Sequence, residues 1–261
     1  MNKSVFFLLI TVVLFFGSCI STRDLNYLQY KKGTSSESAI SLVASKPYRV
    51  QIADVLSLSI KAIDPKLVSI FSTVEGEVGK SPSALYFDGF TVDDHGNIRI
   101  PVLGEMNVIG YTTEEIRLRI EKQLLSEYFN KEANLFVTVK LAGFKYTITG
   151  EIGSTGTKTV FQDRLTIMEA VANSGDITIT GNRKAVTIMR QSPTGVEMHD
   201  LDLTDINVMK SPYYYLQPND FIFVKPLKQK TWGTGKTGLE SITTFVSLLS
   251  LASTMFLLLT N

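Results

Sequence analysis

The chain contains very little cysteine, tryptophan or histidine: one Cys, one Trp and two His in 261 residues. A single thiol excludes an internal disulfide. His95 and His199 are far apart in sequence and have no Cys partner, so the sequence predicts neither a zinc site nor a histidine-based catalytic triad. Basic and acidic residues nearly balance, at 26 and 25, which argues against bulk nucleic-acid binding. We therefore expect no metal, no cofactor and no nucleic-acid partner.

The one cysteine follows a short apolar run at the N-terminus. Lys3 precedes the apolar residues 5–16, and the small residues Gly17 and Ser18 lead to Cys19. This order is typical of a secretory signal, and the run is shorter than the ~20 residues of a membrane span. The stretch "FGSC" resembles a bacterial lipobox, which implies that residues 1–18 are removed and that Cys19 carries lipid, palmitate included. The alternatives are a plain signal peptide and an uncut anchor. No acidic residue follows Cys19 directly, which favours the outer membrane.

Residues 19–45 are polar and serine-rich, and we interpret them as a lipidated tether. A first α+β unit is predicted over 46–142. It contains an alternating strand within "YRVQIADVLSLSIKA" (48–62), a turn and hairpin over 93–109, a helix over 112–129 and a strand over 134–141. The apolar residues expected to face its core are Leu56, Leu58 and Ile60, then Ile98, Ile100 and Val102, then Ile116, Ile120 and Leu124 of the helix, and Leu135, Val137, Val139 and Leu141. Thr112 and Glu115 predict a capping box at the start of the helix.

A second unit is predicted over 143–227, with the element order β-β-α-β-β-β. Its helix, "LTIMEAVANSG", ends at Gly175 as a left-handed stop. A hairpin has its tip at Pro193-Thr194-Gly195, and the last strand is expected at 221–224. Tyr213, Tyr214, Tyr215 and Trp232 present rings that could stack on sugars, although packing beside the last strand or at a membrane interface is the simpler interpretation.

The C-terminal stretch 239–259 is apolar with one charge, at Glu240, and follows a hinge at 228–238. As a helix of 21 residues it would be about 32 Å long, enough to cross a bilayer core. We therefore predict a transmembrane helix. Hydroxyl residues recur every three or four positions and form a stripe that we expect to face a lumen or a neighbouring helix: Ser241, Thr244, Ser247, Ser250 and Thr254. A generic tail anchor is the alternative.

Four stretches together resemble the Wza-like outer-membrane polysaccharide export proteins. "YRVQIADVLSLSI" and "VDDHGNIRIPVLGEMNVIGYTTEEI" resemble motifs of the export domain, and "YTITGEIGSTGTKTV" and "LTIMEAVANSGDIT" resemble the β-grasp repeat called SLBB. Two positions depart from the family pattern, because Ala53 and Asn219 stand where a glycine usually precedes Asp54 and Asp220. Asn tolerates a positive φ and Ala does not, so we expect the first of these turns to have a different shape.

The resemblance implies an α+β chain with an export domain followed by a β-grasp-like (SLBB) domain and a C-terminal transmembrane helix. It further implies a homo-oligomeric ring in the outer membrane, anchored by lipid, with mainly periplasmic domains. Capsular or exopolysaccharide, handed over by an inner-membrane polysaccharide copolymerase, would pass through the ring without catalysis. Two alternatives remain open: a periplasmic glycan-binding lipoprotein anchored by its tail, and an enzyme that trims the exported glycan.

Overall fold

The computed structural model describes residues 22–30, 47–62, 71, 88–129, 134–192, 195–228, 246–251 and 254. Within these ranges the chain forms two units of mixed helix and strand, each around its own buried apolar core. The α+β class predicted from the sequence is therefore confirmed. The predicted signal peptide 1–18, Cys19 and almost all of the hinge 228–238 lie outside the described residues.

Residues 22–30, here called the N-terminal arm, begin with the one-turn helix α1 (Thr22–Leu25). The arm packs against the second unit, where Gln29 forms a parallel bridge with Asp205. The Leu28 amide donates to the Leu203 carbonyl at 3.1 Å, and the Ile206 amide donates to the Gln29 carbonyl at 3.1 Å. The tether predicted over 19–45 is therefore wrong for residues 22–30, because Tyr27 and Leu28 bury part of their surface on the second core.

The first unit is built on a three-stranded antiparallel sheet. Strand β1 (Val55–Lys61) lies between β2 (Phe90–Thr91) and the later strand β5 (Phe136–Leu141). Two further strands, β3 (Asn97–Ile100) and β4 (Gly104–Asn107), form a separate hairpin. Helix α2 (Thr113–Glu127) precedes β5 and begins with the predicted capping box of Thr112 and Glu115.

Helix α2 turns one apolar stripe to the core, as its 3.6-residue spacing predicts. Ile116, Ile120 and Leu124 are fully buried. Each such side chain contributes about 1.5–3 kcal/mol relative to exposure. The sheet residues Leu56, Ile60, Val137 and Val139 complete the packing, whereas Leu58, Leu135 and Leu141 are partly buried at its edge.

The hairpin differs from the prediction at one apolar residue. Ile98 and Ile100 are buried as expected, but Val102 is exposed and has φ +69°. Strand β3 ends at Ile100 because Pro101 has no N–H to continue the ladder. Val102 therefore lies in the turn, and β4 ends at Asn107, two residues before the predicted Ile109.

The second unit is one five-stranded mixed sheet with the predicted element order. Its strands are β6 (Phe144–Gly150), β7 (Gly156–Val160), β8 (Gly181–Ser192), β9 (Gly195–Leu201) and β10 (Phe221–Pro226). They lie side by side in the order β7-β6-β10-β8-β9, with β10 parallel to β6 and every other pairing antiparallel. Helix α3 (Ile167–Asn173) comes between β7 and β8, and a 3₁₀ helix (Ile206–Lys210) comes between β9 and β10.

Helix α3 covers one face of this sheet. Thr166 and Glu169 form a second capping box at its start, and Gly175 has φ +78° just after its end, as predicted. The fully buried Tyr146 ring lies beneath the helix, and its hydroxyl donates to the Ala170 carbonyl at 3.2 Å. The helix therefore protects the sheet on this face and leaves the opposite face without a helix among the described residues.

Candidate functional site

Two short turns, one in each unit, begin with Gln and end with Asp. The first is Gln51-Ile52-Ala53-Asp54 and the second is Gln217-Pro218-Asn219-Asp220. In each turn the Asp amide donates to the Gln carbonyl, at 3.3 Å and 3.1 Å, and the Asp carboxylate accepts the Gln amide, at 2.8 Å and 2.7 Å. Each carboxylate thus closes its own turn.

The third residue of both turns has left-handed backbone geometry, with φ +66° at Ala53 and +68° at Asn219. This is the pattern of a type II turn, which favours Gly or Asn at that position. The prediction that Ala53 gives the first turn a different shape is therefore wrong. The Ala53 amide donates to the Val92 carbonyl at 3.0 Å, and the Asp54 carboxylate fixes the other side, so tertiary contacts hold the strained residue.

The two turns meet across the junction, since the Asn219 side chain hydrogen-bonds to the Asp54 carboxylate. Tyr48, in the segment before the first turn, donates its hydroxyl to Asp54 at 2.8 Å. Burial raises the pKa of Asp54, although these bonds and the charge of Lys145 act in the opposite direction. Burial beside Asp54 also raises the pKa of Tyr48. This contact fixes the first unit against the second through groups of both.

Asp220 has a different partner from Asp54. Its carboxylate accepts two hydrogen bonds from the Arg190 guanidinium, at 2.9 Å and 2.7 Å. Arg190 also donates to the Tyr215 carbonyl at 3.2 Å. Asp220 is almost fully buried, so this bidentate pair neutralises a charge inside the protein.

One corner of the second unit contacts both the N-terminal arm and the residue that follows β10. Residues 176–184, here called the terminal corner, hold the N-terminal arm through three contacts. Asp24 pairs with Lys184 at 2.5 Å, the Tyr27 hydroxyl donates to Asp176, and the Arg183 guanidinium lies 5.2 Å from the Tyr27 ring centroid. The end of β10 reaches the same corner, where the Leu227 amide donates to the Thr180 carbonyl at 2.8 Å.

The predicted hydroxyl stripe lies partly outside the described residues, where Ser241 and Thr244 fall. Ser247, Ser250 and Thr254 are helical, and two hydroxyls bond to the carbonyls of the preceding turn: Ser250 to Ser247 at 2.9 Å, and Thr254 to Ser250 at 2.6 Å. Such bonds satisfy a hydroxyl within its own helix. The helix also exposes Val246, Leu248, Leu249 and Leu251, each by 57–67%. Among the residues that the structure describes, no helix is both long and apolar enough to cross a membrane.

His199 and the tyrosines that the sequence singled out pack against neighbouring side chains of the second unit. His199 stacks on Tyr213 with ring centroids 3.8 Å apart, and the Tyr213 hydroxyl donates to Glu197 at 2.7 Å. Tyr214 is buried in the second core, as the packing interpretation predicts, and Trp232 lies outside the described residues. Within the described ranges, no group of three or more His, Cys, Asp or Glu side chains could hold a metal ion.

Sequence reasoning missed the docking of the N-terminal arm and the contact between the two turns. A signal for the arm was present, because Leu25, Tyr27 and Leu28 are apolar or aromatic within a polar stretch. The repeated pattern of Gln, two residues and Asp gave a signal for the paired turns.

Comparison with known proteins gives a family match that covers most of the first unit. Residues 43–141 match the model of the protein family described as "Polysaccharide biosynthesis/export protein". A curated relative from Ralstonia nicotianae, "EPS I polysaccharide export outer membrane protein EpsA", is 28% identical over 160 residues, and its namesake from Ralstonia solanacearum is 25% identical over 159 residues. Each match covers 57% of this chain and 40% of the relative, so the chain aligns with less than half the length of these relatives. Over residues 43–141, therefore, the chain is similar to the polysaccharide biosynthesis/export protein family.

Proposed function

We propose that this protein is a subunit of an oligomeric outer-membrane channel that exports capsular or exopolysaccharide. The match of residues 43–141 to the export family carries the proposal. The names of the two relatives, which state polysaccharide export and the outer membrane, support the same cargo and location. The protein acts as a passive conduit with no catalysis, and an inner-membrane polysaccharide copolymerase delivers the chain.

The terminal corner supports two membrane attachments on one side of the molecule. Cys19, the proposed lipidation site, precedes the arm by three residues, which span at most about 10 Å. The arm is held at residues 176–184, and β10 delivers the chain to Thr180 before the segment 239–259 begins. The N-terminal arm and the end of β10 thus lie at the same corner. The second unit, a β-grasp-like SLBB domain, would lie next to the outer membrane and the export domain farther into the periplasm.

The exposed aliphatic side chains of residues 246–251 support the proposed transmembrane helix. Val246, Leu248, Leu249 and Leu251 contact no core of the described fold, and lipid or neighbouring helices would cover them. The hydroxyls of Ser250 and Thr254 bond within the helix, so they lower the cost of placing polar residues in a bilayer. In the assembled ring we place the stripe Ser241, Thr244, Ser247, Ser250 and Thr254 toward the lumen or the next helix.

The mass of the full-length protein, extracted in mild detergent, tests the channel. We expect a complex of many identical subunits whose projection images show rotational symmetry and a central hole. A monomer would overturn the channel and favour a glycan-binding lipoprotein anchored by its tail. A solid particle without a hole would also contradict a conduit.

Labelling with radioactive palmitate tests the anchor separately. Cys19→Ala should abolish incorporation, because no other thiol exists in the chain, and the unacylated protein should be mislocalised. Ser21→Ala is the matched control and should be labelled like the wild type. Palmitate retained by the Cys19→Ala variant would show that the lipid is attached elsewhere.

A further inference from the structure

The sheet of the second unit has two outer strands, β7 and β9, whose outer edges pair with no other strand among the described residues. Strand β9 is unusual because six of its seven residues are exposed, on both faces. Val196 and Met198 are exposed by 68% and 62%. Open strand edges with exposed apolar residues are templates for pairing with another chain.

Exposed apolar residues at the two edges lie on the same face of the sheet. The registers connect them strand by strand: Met198 is opposite Met189, Met189 opposite Phe221, Phe221 opposite Thr147, and Thr147 opposite Thr157. Phe161 directly follows the last residue of β7, its ring and the Thr159 side chain both lie near Gly143, and it is 57% exposed. This is the face that helix α3 does not cover.

The two edges carry opposite charges. Strand β9 contains Glu197 and Asp200, and Asp200 is already paired with Lys225 of the same subunit at 2.6 Å. Strand β7 contains Lys158, which donates to the neutral hydroxyl of Ser154 at 2.8 Å. Pairing β9 with β9 would bring acidic residues together, and pairing β7 with β7 would bring two lysines together. Only the unlike pair, β7 with β9, places opposite charges across the ladder.

Strand direction also favours the unlike pair. Following the pairings from β7 through β6, β10 and β8 to β9, the two outer strands run in opposite directions. A copy rotated about an axis along the strands therefore presents its β7 antiparallel to β9 of its neighbour. Such a head-to-tail contact uses different surfaces of each copy and closes into a ring when the rotation closes.

We propose that β9 of one copy pairs, antiparallel, with β7 of the next copy, so that the sheets of neighbouring subunits join edge to edge. This interface rests on the ring of the proposed function. Thr159 opposite Met198 of the neighbouring copy places Phe161 opposite Val196 on the uncovered face. The same register places Lys158 diagonally next to Glu197 on the other face, so apolar and charged contacts form together.

Disulfide cross-linking tests this register in the full-length protein. The double variant Thr159→Cys/Met198→Cys, oxidised in outer membranes, should give a ladder of covalent multimers in a denaturing gel. The single variants Thr159→Cys and Met198→Cys should remain monomers. The pair Lys158→Cys/Met198→Cys is the control for the face, since its thiols lie on opposite sides of the sheet, and it should give no ladder. Dimers from Met198→Cys alone would show like-with-like pairing and overturn the proposal.

Charge exchange tests the same interface without cross-linking. Glu197→Lys and Lys158→Glu should each reduce the proportion of assembled protein at low salt, and the double variant should restore it. Tyr213→Phe removes the hydroxyl that donates a hydrogen bond to Glu197, and it should leave assembly unchanged. This control separates the intermolecular role of Glu197 from its bond within the subunit. A double variant that assembles no better than the singles would contradict the pairing.

The outcomes distinguish the two proposals. A wild-type ring that gives no ladder with the Thr159→Cys/Met198→Cys variant would overturn the edge pairing and leave the channel intact. A wild-type protein that is monomeric in detergent would overturn both.

Discussion

The turns ending at Asp54 and Asp220 have the same backbone geometry but different electrostatic environments. Both close through their own carboxylate, and both contain a residue with φ near +67°. Asp220 is neutralised by Arg190, whereas Asp54 accepts hydrogen bonds from the uncharged Tyr48, Gln51 and Asn219. The two turns therefore share a backbone geometry, but the partners of their buried carboxylates differ: a cation for Asp220 and neutral donors for Asp54.

The difference has a structural logic. Asp220 lies inside the second unit at the start of β10, where it holds a central strand. Asp54 lies at the junction and contributes to the contact between units. Asp220 is thus paired with a cation inside its own unit, whereas burial raises the pKa of Asp54, which hydrogen-bonds to Asn219 of the other unit.

Removal of Arg190 should give the largest effect. Arg190→Met leaves the Asp220 carboxylate buried without its cation, and losing one partner of a buried pair costs about 3–5 kcal/mol. The free energy of unfolding in urea, measured on the protein in detergent, should fall by this amount. Arg117→Met is the control, because Arg117 pairs with Glu114 and Glu121 on the surface of α2, where solvent screens the charges, so its loss should cost much less than the loss of Arg190. Equal losses for both variants would contradict the internal role of the Asp220 pair.

Glycine at the third turn position should change the stability of the protein in opposite directions in the two turns. Ala53→Gly removes the cost of a left-handed alanine, about 1–2 kcal/mol, against a smaller entropic penalty, so it should stabilise the protein by about 0.5–1 kcal/mol. Asn219→Gly gains less, because Asn tolerates this conformation, and it loses the bond to Asp54. We expect it to destabilise the protein by about 0.5–1.5 kcal/mol. Urea unfolding midpoints of the two variants provide the measurement, and stabilisation by both would show that the Asn219 bond contributes nothing.

The difference in the free energy of unfolding between Asp54→Asn and the wild type should be smallest at acidic pH and should grow as the pH rises. The pKa of Asp54 is raised in the folded protein, so its stabilising contribution is complete below the unfolded pKa of about 4 and is lost as pH rises through the folded value. The variant, which does not titrate, should lose less stability than the wild type between pH 4 and pH 7.

Asp200→Asn is the control for this pH series. Its pKa is lowered by the bond from Lys225, so its stabilisation is present above the unfolded pKa and lost as pH falls through the folded one. The two variants should therefore change the slope of stability against pH in opposite directions. Parallel slopes for wild type and Asp54→Asn would contradict the raised pKa.

Local patterns predicted most of the fold. Capping boxes at Thr112 and Thr166, and the buried stripe of α2, depend on residues three or four positions apart, so the sequence displays them directly. The shape of the turn at Ala53 was predicted wrongly, because contacts with Val92 and Asp54 maintain a left-handed geometry that alanine itself disfavours. The arm was missed because the partner of Tyr27 lies 149 residues away along the chain.

The candidate site was less accessible to sequence reasoning. The stripe residues Ser247, Ser250 and Thr254 are helical, but only an assembled ring would show what they face. Cys19, Ser241 and Thr244 stay predictions. Edge pairing needs the strand order β7-β6-β10-β8-β9, and no periodicity in a sequence reveals which strands lie outermost.

The central position of β10 sets the order in which the second unit can fold. Since β10 lies between β6 and β8, a chain emerging N-terminus first has a gap in the middle of its sheet until residue 226 has appeared. The two halves cannot join earlier, and such long-range closure is slow. The last strand of the unit therefore completes the sheet by joining β6 to β8.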